Sequence, residues 1–111
     1  MSPFAPLPDA PYYAVIFSNT RNDGDHGYDD MALHMVERAA EQDGYIGVES
    51  TRDAHGFGIT VSYWRDEAAL LNWKAQSEHI LAQKLGKTRW YDHYRLRVAK
   101  VERSYSGPEG R

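Results

Sequence analysis

Residues 45–65 read YIGVESTRDAHGFGITVSYWR, and this stretch decides the fold. It holds two runs rich in β-branched and aromatic residues, 45–52 and 57–65, on either side of a short turn at 53–56. β-Branched and aromatic side chains favour strands. Two strands joined by so short a turn pair in antiparallel fashion, so the centre of the chain is predicted to be a β-hairpin.

A helix is predicted on each side of this hairpin. On its N-terminal side, apolar residues such as Met31 and Met35 recur at helical spacing up to a stop signal at Gly44. On its C-terminal side, Asp66 can cap a second helix. The apolar spacing of that helix falters around 74–77, which predicts a break into two shorter helices.

One further strand is predicted at each end of the chain, over residues 12–19 (YYAVIFSN) and 91–105. The element order is then β-α-β-β-α-β. Right-handed crossovers place both helices on one face of a four-stranded antiparallel sheet, which is the ferredoxin-like arrangement of the α+β class.

The ends of the chain differ from this domain in composition. Residues 1–11 carry four of the 5 prolines, which favours an extended arm outside the sheet. We expect the domain to span 12–105 and the Gly- and Pro-containing tail 106–111 to fray. We expect neither end to carry chemistry.

The first predicted strand has apolar side chains on both faces, which alternate along residues 12–17. The two helices of the chain can cover only one face of the sheet. Because an uncovered apolar face marks an association site, we expect a homodimer in which two sheets pack face to face. The alternative is a monomer with a few exposed aromatic residues.

Composition excludes several classes of function. The chain has 111 residues and a formal net charge of -3, which argues against nucleic acid as a partner. It has no Cys, which excludes disulfides, thiolate metal sites and cysteine nucleophiles. No apolar run approaches the ~20 residues that span a bilayer. The N-terminal stretch has neither the basic residue nor the apolar core of a secretory signal, so we expect a cytoplasmic protein and no membrane partner.

Short motifs for metals and phosphates are also missing from the sequence. No HxH, HxxxH or HExxH spacing occurs, which makes a dedicated zinc or iron site unexpected. No GxGxxG or GxxxxGK[ST] occurs either, so no phosphate loop is expected.

The residues that remain resemble a known family. The motif YWRDE at 63–67 is followed by Trp73 and His79 on the predicted second helix, and Asn19 ends the first strand. This combination is similar to the antibiotic biosynthesis monooxygenase family of dimeric α+β barrel proteins. The resemblance covers roughly residues 12–105. It is moderately specific for the superfamily and weakly specific for one activity, because this fold supports several functions.

Two branches of the superfamily suggest different chemistry. Cofactor-free members oxidise polyketide quinols or anthrones with molecular oxygen, which implies no cofactor and a small electron-rich aromatic substrate. Haem-degrading members use an Asn, a Trp and an iron-binding His, and Asn19 and Trp73 match the first two. The ligand position itself is Gln83, with His79 one turn earlier. Since Gln is a poor iron ligand beside imidazole, we favour the cofactor-free branch.

The resemblance assigns a role to each candidate residue. His79 is the expected general base, because a histidine side chain ordinarily titrates near ~6.5. Asn19 would hold the enolate oxygen, and Trp73 would position the ring. Further residues expected to contact substrate are His34, Met35 and Trp64. The competing interpretations are a strand-terminal Asn19, a core Trp73 and a His79 bonded to a backbone carbonyl.

Two other functions stay open at this point. One is a non-catalytic or stress-related dimer that holds a small ligand. The other is a haem-binding protein with slow haem degradation. The first of these needs the same cavity and aromatic wall as the monooxygenase, so the sequence does not separate them.

Overall fold

The protein folds as an α+β domain in a computed structural model that describes residues 2–21, 28–85 and 91–108, without the side chains of 28, 29, 81–85 and 92. The elements in chain order are β1 (Tyr12–Arg21), α1 (Tyr28–Ala40), β2 (Tyr45–Arg52), β3 (Phe57–Trp64), α2 (Glu67–Leu85) and β4 (Tyr91–Val101). The predicted β-α-β-β-α-β order is confirmed. A loop is predicted at 20–27, after the first strand, but β1 continues to Arg21, and residues 22–27 lie outside the described residues.

The sheet has 4 strands in the order β2-β3-β1-β4, and each neighbouring pair is antiparallel. Side chains of both helices pack with Val15 and Trp64 of the sheet in one apolar cluster. We call this side of the sheet, which carries Val15, Phe17 and Asn19, the helix face. The opposite side is the outer face. This is the predicted ferredoxin-like arrangement.

The core is built around stacked indole rings. Trp64 is fully buried, and its ring stacks on that of Trp73 with a centroid distance of 6.1 Å and an interplanar angle of 22°. Tyr45 meets Trp64 edge-on at 5.6 Å. The Trp64 indole N–H donates to the Ser62 hydroxyl at 2.9 Å, so this buried donor is satisfied. These large rings bury much apolar area and attach α2 to the sheet.

Asp66 caps α2 as predicted, because its carboxylate accepts a hydrogen bond from the Ala69 backbone N–H at 2.8 Å. This hydrogen bond, with a second from the Arg65 guanidinium, lowers the pKa of Asp66. The predicted break at 74–77 is wrong, since α2 runs without interruption. Lys, Ala and Gln in that stretch are strong helix formers and sustain a helix without an apolar stripe.

The last strand is shorter than predicted and ends at Val101 instead of residue 105. Val101 pairs with Tyr12, the first residue of β1. Residues 102–105 therefore extend beyond the end of β1 and have no place in that ladder.

The N-terminal arm lies against β2 on the outer face. The Ala5 backbone N–H donates to one carboxylate oxygen of Glu49 at 3.0 Å, and the Tyr63 hydroxyl donates to the other at 2.7 Å. Burial and this contact raise the pKa of Tyr63. A Cβ on Gly47 would lie 2.8 Å from the Ala5 Cβ, so the arm's close approach requires glycine there.

Leu70 and its neighbour Leu71 provide a test of where the core sits. Leu70 is fully buried, whereas Leu71 is 52% exposed on the same helix. We expect Leu70→Ala to lower the free energy of unfolding by about 3 kcal/mol, because it leaves a cavity. Leu71→Ala should change it by less than about 0.5 kcal/mol. Urea denaturation measures both, and equal losses in the two variants would contradict this packing.

Candidate active site

Asn19 is a buried polar residue of the helix face. It is 3% exposed and lies opposite Gly58 on β3 and Tyr94 on β4. Strand β1 continues to Arg21, so Asn19 lies inside the strand and does not end it as predicted. Asn is depleted in strands, and a buried carboxamide needs hydrogen-bond partners, so this position calls for a specific explanation.

One end of the carboxamide has a strong partner and the other has none within the described part of the chain. An Nη of Arg52 donates to Asn19 Oδ1 at 2.7 Å. Asn19 Nδ2 is buried without a hydrogen-bond partner among the described residues. An unsatisfied buried N–H is costly, and it is a candidate donor to a bound molecule.

The hairpin turn holds Arg52 in place. The Gly56 carbonyl accepts hydrogen bonds from the Arg52 guanidinium at 2.5 Å and from the Arg21 backbone N–H at 3.0 Å. Gly56 has φ of +95°, a conformation that suits glycine. The Asp53 carboxylate accepts from the backbone N–H groups of His55 and Phe57, each at 2.9 Å, and so closes the turn.

Three aromatic rings gather beside Asn19 on the helix face. Phe17 meets Tyr91 edge-on at 5.2 Å and Tyr94 at 5.8 Å, and the two tyrosine rings are 6.3 Å apart. Tyr94 is 61% exposed, so a planar molecule can reach this aromatic cluster from solvent. The rings and the Asn19 amide together combine an apolar surface with a hydrogen-bond donor.

The structure separates Asn19 from the tryptophan stack. Asn19 lies opposite Gly58, whereas Trp64 lies opposite Tyr13 at the other end of β1. Six residues of strand correspond to about 20 Å between these two positions. Trp73 is 8% exposed and stacks on Trp64. Trp64 and Trp73 are therefore core residues here, and their expected contact with substrate stays a prediction.

The other predicted site residues lie on the helices. His79 is exposed on α2, and His34 is half-buried on α1. Met35 is partly buried and packs against the core cluster. The roles predicted for these residues remain predictions. The side chain of Gln83, the residue at the expected haem-ligand position, lies outside the described residues.

Sequence reasoning missed Arg52, Gly58 and the aromatic cluster. Gly58 carried the best available signal, because a glycine inside a strand marks a place where another group approaches closely. No sequence motif connects Arg52 to Asn19, since the two residues are 33 positions apart in the chain.

The described residues hold neither a metal-binding group of side chains nor a membrane-spanning helix. No group of three or more His, Cys, Asp or Glu side chains in this part of the chain is arranged to hold a metal ion. No helix in the described ranges combines the length and apolar character needed to cross a membrane.

Comparison with known sequences decides the family. Residues 11–85 match the sequence model described as antibiotic biosynthesis monooxygenase. The chain belongs to this family. Protein YqjZ of Bacillus subtilis, which is uncharacterized, is 50% identical over 96 residues that cover 86% of this chain and 84% of that protein.

A fungal family relative carries a named activity. The jasmonate monooxygenase of Pyricularia oryzae is 30% identical over 102 residues, which cover 87% of this chain and 46% of that protein. The chain thus spans about half the length of this relative.

Solved structures share the fold of this chain at low sequence identity. SnoaB, a cofactor-independent oxygenase from Streptomyces nogalater, has a TM-score of 0.70 and 13% identity, with 86% of this chain and 97% of SnoaB covered. Protein PA3566 from Pseudomonas aeruginosa has a TM-score of 0.64 and 18% identity, with 88% and 99% covered. Both are similar to this chain in their βαββαβ architecture.

The hairpin turn at 53–56, which holds Arg52 in place, leads to a prediction about stability and pH. Hydrogen bonds from the Phe57 and His55 N–H groups lower the pKa of Asp53 from its ordinary 3.8. Its stabilising contribution is therefore present above pH 3.8 and lost as the pH falls through the lowered pKa. We expect Asp53→Ala to melt below the wild type at neutral pH and at the same temperature near about pH 2.

Thermal denaturation across this pH range measures the effect. Asp9→Ala, in the exposed part of the arm, is the matched carboxylate control and should follow the wild type throughout. A melting difference for Asp53→Ala that stays constant down to about pH 2 would contradict the role of the ionised carboxylate.

Proposed function

We propose that this protein is a monooxygenase that uses molecular oxygen directly, without a cofactor, to oxidise a small electron-rich aromatic compound such as an anthrone or a quinol. The observation that carries this proposal is the buried Asn19 Nδ2, which has no partner among the described residues. Membership of the antibiotic biosynthesis monooxygenase family supports the reaction type.

The substrate itself can supply the electrons in such a reaction. Removal of a proton from the activated CH2 of an anthrone leaves an enolate, which transfers one electron to O2. Recombination of the resulting radical pair forms a C–O bond, and protonation gives a hydroperoxide. Loss of water then cleaves the O–O bond and leaves a carbonyl. Anthrone and O2 thus give anthraquinone and water, and each product receives one of the two atoms of O2.

Asn19 would act where the negative charge develops. Its Nδ2 group can donate a hydrogen bond to the enolate oxygen, as a single donor of an oxyanion hole does. Strand β1 is paired on both sides, and the Asn19 side chain is buried, so this donor is held before the substrate arrives.

The aromatic cluster of Phe17, Tyr91 and Tyr94 would hold the flat ring of the substrate. Its rings lie on the same face as Asn19, and Tyr94 is accessible. Aromatic rings favour offset or edge-on contact with a planar partner. Trp73 stacks on Trp64, further along the sheet from this cluster.

His79 remains the candidate base. It is exposed on α2 and can exchange protons with solvent. Its role rests on the resemblance and on the chemistry of imidazole. We expect His79→Ala to oxidise anthrone more slowly than His55→Ala, which changes an exposed histidine of the turn. Equal rates in the two variants would exclude His79 as the base.

Anthrone oxidation tests the role of Asn19. With anthrone as substrate, we expect Asn19→Ala to lower kcat/KM about 100-fold through loss of one oxyanion donor. Oxygen uptake, corrected for the rate in buffer, measures the effect. Asn72→Ala is the matched control, because Asn72 is an exposed amide on α2. Full activity in Asn19→Ala would refute the role of this amide.

The same assay tests the substrate class. Jasmonate is the comparison compound, since the fungal relative is named for it. Oxidation of jasmonate in the absence of any anthrone oxidation would overturn the proposed aromatic substrate.

The protein is further proposed to act as a homodimer through the outer face of the sheet. The central strands carry half-buried apolar side chains there, among them Ile16, Ile59 and Val61. Such a face is suited to a second copy related by two-fold symmetry.

We expect Val61→Arg to convert a dimer to a monomer, because it would bury an unpaired charge between the two sheets. Sedimentation equilibrium measures the mass. Val36→Arg is the control, since Val36 is 46% exposed on α1 and should leave the mass unchanged. A monomeric wild type would refute the dimer.

A further inference from the structure

We propose that Arg52 is a positioning residue for Asn19: it holds the carboxamide in the one orientation that presents Nδ2 to the substrate, and it reaches Asn19 across a gap that Gly58 leaves open. This inference rests on the proposed function of Asn19 as a hydrogen-bond donor. It assigns roles to two residues that lie outside the motif by which the chain resembles its family.

The identity of the contacting atoms follows from donor chemistry. A guanidinium group has N–H donors and no acceptor, so the carboxamide atom 2.7 Å from the Arg52 Nη must be the oxygen. With Oδ1 held by Arg52, Nδ2 must point the other way. The orientation of this amide is therefore decided by its neighbour.

The path of Arg52 depends on the absence of a side chain at Gly58. Arg52 of β2, Gly58 of β3 and Asn19 of β1 are register partners on adjacent strands, so they form one row across the helix face. A Cβ on Gly58 would lie 2.7 Å from Cζ of Arg52 and 2.9 Å from each Nη. The guanidinium thus lies directly over the β3 backbone, in space that any other residue would occupy.

A second contact fixes the guanidinium itself. One Nη donates to the Gly56 carbonyl while the other donates to Asn19. Because the guanidinium is planar and rigid, two contacts at separate nitrogens determine its position and tilt. The hydrogen-bonded hairpin turn thereby determines the orientation of a side chain on another strand.

Loss of this contact has a specific chemical consequence. Without Arg52, the carboxamide can turn about its terminal torsion and exchange the places of Oδ1 and Nδ2, since such torsions are broad and roughly two-fold. An oxygen in place of Nδ2 would repel the enolate oxygen. The chemical step would slow while ring binding at the aromatic cluster continued.

The first experiment observes the amide directly by NMR. The Asn19 side-chain NH2 signals are assigned by their loss in Asn19→Ala. We expect these signals to shift or broaden in Arg52→Met and in Gly58→Ala, and to change less in Arg52→Lys, which keeps a cationic donor. Gly47→Ala is the matched strand-glycine control, because its Cβ would meet Ala5 on the outer face, and it should leave them unchanged. Unchanged Asn19 signals in Arg52→Met would overturn the proposal.

The second experiment measures anthrone oxidation. We expect Arg52→Met to lower kcat about tenfold, with KM changed less than about threefold, and Arg52→Lys to restore part of the loss. The double variant Asn19→Ala/Arg52→Met should be no slower than Asn19→Ala, because Arg52 acts through Asn19. Additive losses in the double variant would overturn the proposal, because they would show that Arg52 affects the reaction even when Asn19 is absent.

The two experiments separate this inference from the proposed function. If Asn19→Ala retains full activity, or if the wild type does not oxidise anthrone, the proposed function fails. The NMR signals of Asn19 then test by themselves whether Arg52 orients the carboxamide. If Asn19→Ala loses activity while Arg52→Met keeps it, the positioning role fails and the function of Asn19 stands. A thermal melt of each variant ensures that folded protein is compared.

Discussion

The antiparallel register of β2, β3 and β1 brings Arg52, Gly58 and Asn19 into one row across the helix face. The contact between Arg52 and Asn19 depends on this alignment. A slip of one residue in either pair would turn Asn19 or Arg52 towards the outer face, because strand side chains alternate. The site is therefore a property of the sheet, and its precision derives from ladder hydrogen bonds and the short turn that joins β2 to β3.

The helix face divides into two ends with different chemistry. At one end, Trp64 and Trp73 stack and attach α2 to the sheet. About 20 Å along the strands, Asn19 lies beside the rings of Phe17 and Tyr94. The tryptophan end supplies the apolar burial that stabilises the fold. The other end combines a buried amide with an accessible aromatic surface, and this combination is what a small planar ligand requires.

The motif that connects this chain to its family is, in large part, a structural motif. Trp64 is fully buried, Trp73 stacks on it, and Asp66 caps α2. These residues attach the second helix to the sheet at a fixed place. Asn19 is the member of the pattern whose buried Nδ2 has no hydrogen-bond partner among the described residues. Family membership therefore defines the scaffold, and one residue of the pattern points to the chemistry.

Local sequence patterns determined the element order, the central hairpin, the cap at Asp66 and the ferredoxin-like class, because each depends on the spacing of residues close together in the chain. The apolar spacing did not predict the continuity of α2, because residues 74–77 sustain the helix by their helix propensity without an apolar stripe. The tertiary structure decided that Trp73 joins the core, that Arg52 reaches Asn19 across Gly58, and that three rings gather beside them. Arg52 and Asn19, for example, are 33 positions apart in the chain, and only folding brings such positions together.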